Sequence, residues 1–97
     1  MITTDKRKRL DRITNYMEEL TDGILQQLLS EERANPFSSK AVQDIKALAL
    51  NRLWPMYTTT TAGREFLKKV VVEDKIEKDV VRELRAAIDM VRAHPRQ

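Results

Sequence analysis

The sequence NRLWPMYTTTTAGR occupies residues 51–64 and separates two stretches with helical periodicity. Eleven consecutive residues within it, 53–63, carry no charge, in a chain in which 34% of the residues are charged. Pro55 disfavours the α conformation at the residue before it, so we expect the preceding helix to end near Leu53. A threonine hydroxyl can cap the first turn of a helix, so Thr60 or Thr61 is predicted to begin the next one. The stretch is therefore predicted to be a bend between two helices.

Apolar residues on the N-terminal side of this bend recur at the period of a helix. They are Val42, Ile45, Leu48, Ala49 and Leu53. Ser38 or Ser39 is the expected N-cap of this helix, because a serine side chain satisfies a free N–H group of the first turn. A loop around Pro36 separates it from the first helical stretch.

The first helical stretch carries an apolar stripe at steps of three and four residues. The stripe consists of Leu10, Ile13, Met17, Leu20, Ile24 and Leu28. It predicts a helix from about Asp5 to about Arg33. Leu25 and Leu29 flank the stripe and widen it, so it either faces the core of the chain or is shared with a partner chain.

The C-terminal third is predicted to form two helices with a break near Glu73. The β-branched run 70–72 has no alternating pattern around it, which argues against a strand. Asp74 and Glu77 have the spacing of a capping box at the start of the last helix. The apolar face of that helix consists of Ile76, Val80, Leu84, Ile88 and Val91, and the helix ends before Pro95. We therefore expect one all-α domain over residues 1–97, with four to five helices and no sheet.

Composition excludes most kinds of enzyme. The chain has 97 residues, no cysteine and one histidine, His94, which excludes disulfides, thiol catalysis and cysteine-based zinc sites. There is no glycine-rich phosphate loop, and most carboxylates lie in charge-alternating helical stretches. We expect a non-enzyme without metal or cofactor. No apolar run is long enough to span a membrane and no signal-peptide core is present, so we expect a cytoplasmic protein without membrane contact.

The bend at residues 51–64 also contains the main candidates for a binding site. The candidates are Arg52, Trp54, Tyr57, Thr59, Thr60, Thr61 and Arg64. Arginine pairs with phosphate or with a guanine edge, aromatic rings stack on bases, and threonine hydroxyls donate to phosphate. A helix start also attracts anions. Because a cation in the first turn opposes the helix dipole, Arg64 is better explained by an anionic partner.

Each of these residues also has a purely structural explanation. Trp54 can fill the core between helices, the threonines can form a loop and a cap, and Arg52 can gain from the dipole at a helix C-terminus. A second set of basic candidates lies near the N-terminus, namely Lys6, Arg7, Arg9 and Arg12. They could contact phosphate or nucleic acid, but a solvated helix start is the default explanation, so they are secondary candidates. The net charge of +3 suits a small anionic ligand at least as well as a long polyanion.

Residues 44–60, with the sequence DIKALALNRLWPMYTTT, resemble the ComFB family of late-competence-type bacterial proteins. The matching positions are Asp44, Ala49, Leu50, Asn51, Arg52, Pro55, Tyr57 and the threonines after it. Trp54 departs from the family, which often has a second proline there, and Thr58 departs where valine is common. The cysteine cluster that binds zinc in some relatives is absent.

The resemblance implies a small all-helical domain, usually dimeric, whose cyanobacterial relatives are receptors for cyclic di-GMP, with cyclic di-AMP as the second candidate ligand. A symmetric dimer presents each side chain twice, which suits a ligand with two-fold symmetry. We therefore expect a homodimeric receptor for a cyclic dinucleotide, with cyclic di-GMP favoured, that signals through a regulatory partner protein. The alternatives are a small basic helical DNA-binding protein, although nucleic acid is the less favoured ligand, and a protein-interaction module.

Overall fold

A computed structural model of the chain describes residues 9–31 and 37–94, with side chains from Arg12 onward. The elements in chain order are β1 (Arg9–Asn15), α1 (Tyr16–Ser30), α2 (Ser39–Leu50), β2 (Tyr57–Thr60), α3 (Thr61–Glu73) and α4 (Ile76–Ala93). The four helices were expected from the sequence, and the two strands were not. Within the described residues, no helix is both long and apolar enough to cross a membrane.

The two strands pair antiparallel, so the prediction of a chain without a sheet is wrong. Thr14 pairs with Thr58 and Asn15 pairs with Tyr57, and the register is irregular between Arg9 and Thr14. The threonines of β2 are β-branched and favour extended backbone. Pairing also gives hydrogen-bond partners to backbone groups that the bend before α3 would otherwise leave to water. The bend is therefore partly a strand.

Asn15 ends β1 and begins α1, which corrects the expectation of a helix from Asp5. Its backbone is extended, and its side-chain Oδ1 accepts hydrogen bonds from Met17 N at 3.1 Å and from Met56 N at 2.7 Å. Tyr16 N donates to Met56 O at 2.7 Å. One amide side chain therefore caps α1 and fastens it to the residue that precedes β2. Both predicted ends of the long helix, Asp5 and Arg33, lie outside the described residues.

The buried face of α1 is displaced by one position from the predicted stripe. Its buried residues are Met17, Thr21, Leu25 and Leu29, at steps of four residues. Leu20, Ile24 and Leu28 pack against the core only in part. Ile13, in β1, is 64% exposed. Leu25 and Leu29, which were expected to flank the stripe, therefore lie at the centre of the buried face. The predicted stripe was extended through Leu10 and Ile13, which lie in β1 before the helix begins at Tyr16.

The main core lies between α2 and α4. Ile45 and Ala49 of α2 are fully buried, and α4 buries the predicted positions Val80, Leu84, Ile88 and Val91. Ser38 is the N-cap of α2, where its Oγ accepts from Ala41 N at 3.1 Å. Regular helix ends at Leu50, before the predicted Leu53, since the next residues form shorter-range bonds from Arg52 N to Ala49 O and from Leu53 N to Leu50 O.

The break between α3 and α4 lies where the sequence predicts it, but its chemistry differs. The run 70–72 is helical within α3, as expected, and α3 ends at Glu73. The predicted capping box of Asp74 and Glu77 is wrong, because the N-cap of α4 is Lys75 and it makes no side-chain capping bond. Lys75 has φ of 56° and ψ of 37°, in the left-handed region. The two helices are therefore separated by one residue in the left-handed conformation and not by a side-chain cap.

Replacing Asn15 tests its double role. Asn15→Ala removes the cap and leaves the N–H of buried Met56 unpaired, so the free energy of unfolding should fall by about 2 kcal/mol. Asn15→Asp keeps an acceptor oxygen at the same place and should stay close to wild type. Urea denaturation of the three proteins measures this. Equal stabilities of the alanine and aspartate variants would contradict the role.

Replacing Lys75 tests the left-handed junction. Lys75→Gly should raise the free energy of unfolding by roughly 0.5–1 kcal/mol, because relief of the Cβ clash exceeds the added chain entropy of glycine. The matched control is Lys78→Gly inside α4, which should lose about 1 kcal/mol. Thermal melts compare the pair. A destabilised Lys75→Gly variant would show that the junction does not need a left-handed residue.

Candidate functional site

A groove of about 540 Å³ lies where β1 and β2 meet the first turns of α1 and α3. Its charged lining residues are Arg12, Glu18, Glu19 and Arg64, and β2 contributes Tyr57 and Thr58. Residues 13–16, at the junction of β1 and α1, complete the wall. The bonds of Asn15 to Met17 and Met56 hold this junction against β2. The groove therefore exists because the two strands pair.

Threonine hydroxyls fix the start of α3 beside the groove. Thr60 Oγ1 accepts from Gly63 N at 2.9 Å, which confirms Thr60 as the N-cap. The hydroxyl of Thr58 donates to Thr60 O at 3.2 Å. A Cβ at Gly63 would overlap Thr58 Oγ1, so glycine allows the close approach of α3 to β2. These contacts place Arg64 in the first turn of α3, facing α1.

Arg64 is held by carboxylates of the chain itself. Its Nε donates to Glu19 Oε2 at 3.0 Å, a second nitrogen donates to Glu19 Oε1, and a third lies 3.5 Å from Glu65 Oε2. Its Cζ lies 5.5 Å from the centroid of the Tyr16 ring. Hydrogen bonds from Arg64 lower the pKa of Glu19, and those bonds in turn raise the pKa of Arg64. The anionic partner expected for Arg64 is thus Glu19, and the pair joins α3 to α1.

Arg12 and Glu18 are the uncommitted charges of the groove. Both side chains are exposed, and within the described part of the chain neither forms an ion pair or a side-chain hydrogen bond. The Tyr57 ring beside them is 65% exposed. The groove therefore offers a free guanidinium, a free carboxylate and an aromatic face, with two arginines balanced by two glutamates.

The structure brings together only some of the residues predicted to bind a ligand. Tyr57 and Arg64 share the groove with Arg12, which the sequence placed in a separate candidate set. Arg52 lies at another groove, between α2 and α4, beside Glu83 and Met90. The pairing of β1 with β2 explains why Arg12 lies in the same groove as Tyr57 and Arg64, since it joins the strand that contains Arg12 to the threonine bend.

The remaining candidates do not line the groove. Trp54 is 87% exposed, so its interpretation as a core residue is wrong. Thr59 and Thr61 lie on the exposed surface at the end of β2 and the start of α3, and Thr60 is used as a cap. Arg9 belongs to β1, and Lys6 and Arg7 lie outside the described residues.

Sequence reasoning missed Asn15, Glu18, Glu19 and Thr58. A signal was present, because an asparagine followed three residues later by a glutamate has the spacing of a helix start. Extending the apolar stripe through Leu10 and Ile13 obscured it. Among the described residues, no group of three or more histidine, cysteine or acidic side chains could hold a metal ion. The groove lining offers guanidinium groups that can pair with an anion, an aromatic face and a carboxylate that can accept hydrogen bonds.

Comparison with known proteins identifies relatives of this fold. The family model described as late competence development protein ComFB matches residues 14–95, which include all groove-lining residues except Arg12 and Ile13. Among solved structures, the late competence protein ComFB from Bacillus subtilis matches with a TM-score of 0.78 and 19% sequence identity, over 89% of this chain and 94% of that chain. That likeness concerns the fold alone. No curated protein is significantly similar in sequence.

The ion pair of Glu19 and Arg64 has a testable pH dependence. Because the pKa of Glu19 is lowered on folding, the pair stabilises the fold above the ordinary carboxyl pKa, and this is lost as the pH falls through the lowered pKa. At neutral pH the free energy of unfolding of wild type should exceed that of Glu19→Gln by about 0.2–1 kcal/mol, which is the usual contribution of an exposed ion pair. Urea denaturation should show this gap closing towards pH 3, with Glu31→Gln as the control. A gap independent of pH would contradict the assignment.

Proposed function

Because this chain belongs to the ComFB family, we propose that it is a non-enzymatic receptor for a cyclic dinucleotide, with cyclic di-GMP preferred to cyclic di-AMP. The observation that carries the proposal is the groove in which the free guanidinium of Arg12 and the exposed ring of Tyr57 lie together. The resemblance of residues 44–60 to the family directs the choice of ligand class. A site that recognises a nucleotide needs a cationic side chain for the phosphate and a second side chain that contacts the base.

The groove suits one nucleotide ligand in size and chemistry. Its volume of about 540 Å³ lies within the roughly 300–1,000 Å³ of small-molecule sites. Arg12 pairs with phosphate through its planar fork of donors. The ring of Tyr57 stacks on a base, which is worth about 1–3 kcal/mol in nucleic-acid complexes. Arg64 contributes the second guanidinium. In the complex this guanidinium contacts both a ligand phosphate and Glu19.

The balanced charge of the groove favours a small ligand over DNA. Two arginines face two glutamates, whereas a surface for a long polyanion carries an excess of positive charge. A DNA-binding function therefore has less support than a nucleotide receptor. Arg52, Trp54, Thr59 and Thr61 are not part of the proposed contacts, because they do not line the groove.

We further propose that the receptor is a homodimer in the cytoplasm and that its output is association with a regulatory protein. A two-fold dimer doubles the groove residues and matches the two-fold symmetry of a cyclic dinucleotide. Large apolar side chains exposed on the single chain support such association, with Trp54 at 87%, Val72 at 74% and Phe66 at 65% exposed. Aromatic side chains are enriched at protein interfaces, so Trp54 and Phe66 are the first candidates for these contacts.

Calorimetric titration with cyclic di-GMP tests the proposed site. Arg12→Ala should weaken binding at least tenfold, because a charge-assisted phosphate contact is lost, while the thermal melt stays unchanged. The control is Arg85→Ala, which removes an exposed arginine of α4 far along the chain from the groove residues and should bind like wild type. The absence of binding heat and thermal shift with either dinucleotide would refute the receptor function.

A further inference from the structure

The groove contains one carboxylate without a hydrogen-bond or ion-pair partner among the described residues. Glu19 gives both oxygens to Arg64, so it is committed to joining α1 and α3. Glu18, its neighbour in the first turn of α1, lines the same groove, and within the described residues its carboxylate has no hydrogen-bond or ion-pair partner. A free carboxylate beside a phosphate-binding arginine repels a plain anion. A ligand that also donates hydrogen bonds would pair with this carboxylate instead of being repelled by it.

We propose that Glu18 is the base-reading residue of the groove, where its carboxylate accepts hydrogen bonds from the Watson–Crick edge of a guanine. This inference rests on the proposed function as a cyclic dinucleotide receptor. It adds the residue that distinguishes cyclic di-GMP from cyclic di-AMP. Arg12 and Tyr57 do not make that distinction, since phosphate and an aromatic face are common to both ligands.

Hydrogen-bonding chemistry explains the selectivity. The Watson–Crick edge of guanine presents N1–H and the N2 amino group side by side, and a carboxylate can accept from both at once through its two oxygens. Adenine presents an acceptor, N1, beside its N6 amino group. A carboxylate that faces adenine therefore makes one hydrogen bond and opposes a lone pair. A site built around a hydrogen-bonding group rejects a ligand that leaves this group unpaired.

Glu18 also has a structural role that the test must separate. A negative charge in the first turn of α1 interacts favourably with the helix dipole. That contribution acts on the stability of the free chain and is the same for both dinucleotides. A base-reading role instead changes the ratio of the two affinities. The ratio is therefore the decisive quantity.

The experiment titrates the full chain with cyclic di-GMP and cyclic di-AMP, as wild type and as Glu18→Gln. Wild type should bind cyclic di-GMP more tightly. Glu18→Gln should weaken cyclic di-GMP at least tenfold and leave cyclic di-AMP unchanged or tighter, because the amide loses one acceptor and the charge that opposes adenine N1. Glu31→Gln, at the other end of α1 and outside the groove, should keep the wild-type ratio.

A third ligand identifies the atoms concerned. Cyclic di-IMP keeps N1–H but lacks the N2 amino group, so wild type should bind it more weakly than cyclic di-GMP, and Glu18→Gln should reduce that difference. If Glu18→Gln binds cyclic di-GMP and cyclic di-AMP in the wild-type ratio, the base-reading role is refuted while the receptor function stands. If wild type binds neither ligand, the receptor function itself fails.

Discussion

The side-chain oxygen of Asn15 is the contact on which the rest of this structure depends. It accepts from Met17 N and Met56 N, so one acceptor ends β1, caps α1 and holds the residue before β2. The strand pairing between Thr14 and Thr58 follows directly from this attachment. The pairing in turn encloses the groove between β1, β2 and the first turns of two helices. An amide at a single position thus connects the helical core to the candidate site.

The groove divides its charged residues into a fixed pair and a free pair. Arg64 and Glu19 join α3 to α1, with the Tyr16 ring against the guanidinium, and they give the wall a defined shape. Arg12 and Glu18 remain available to a ligand. Preorganised walls lower the cost of ordering side chains when a ligand binds. In the proposed receptor, the fixed pair holds the wall in shape and Arg64 shares its guanidinium with the ligand, while Arg12 and Glu18 supply the remaining charged contacts.

The helical part of the fold could be predicted from the sequence because its signals are local. The apolar period of α4, the serine cap of α2, the threonine cap of α3 and the break after Glu73 each involve residues close in the chain. The sheet could not, since β1 and β2 pair across more than 40 residues and the spacing of Leu10 and Ile13 imitates a helix. The same difference between local and long-range signals applies to the candidate site. Tyr57 and Arg64 were predicted from the bend, whereas their proximity to Arg12 and Glu18 depends on strand pairing.

The groove between the two strands and the starts of α1 and α3 is the proposed ligand site. Backbone amide NMR spectra recorded during titration with cyclic di-GMP test it most directly. We expect the largest shift changes at Arg12, Glu18, Tyr57 and Arg64, and little change at the indole N–H of Trp54 and the amide of Arg52. Shift changes concentrated at Trp54 and Arg52, with the groove residues unaffected, would contradict it.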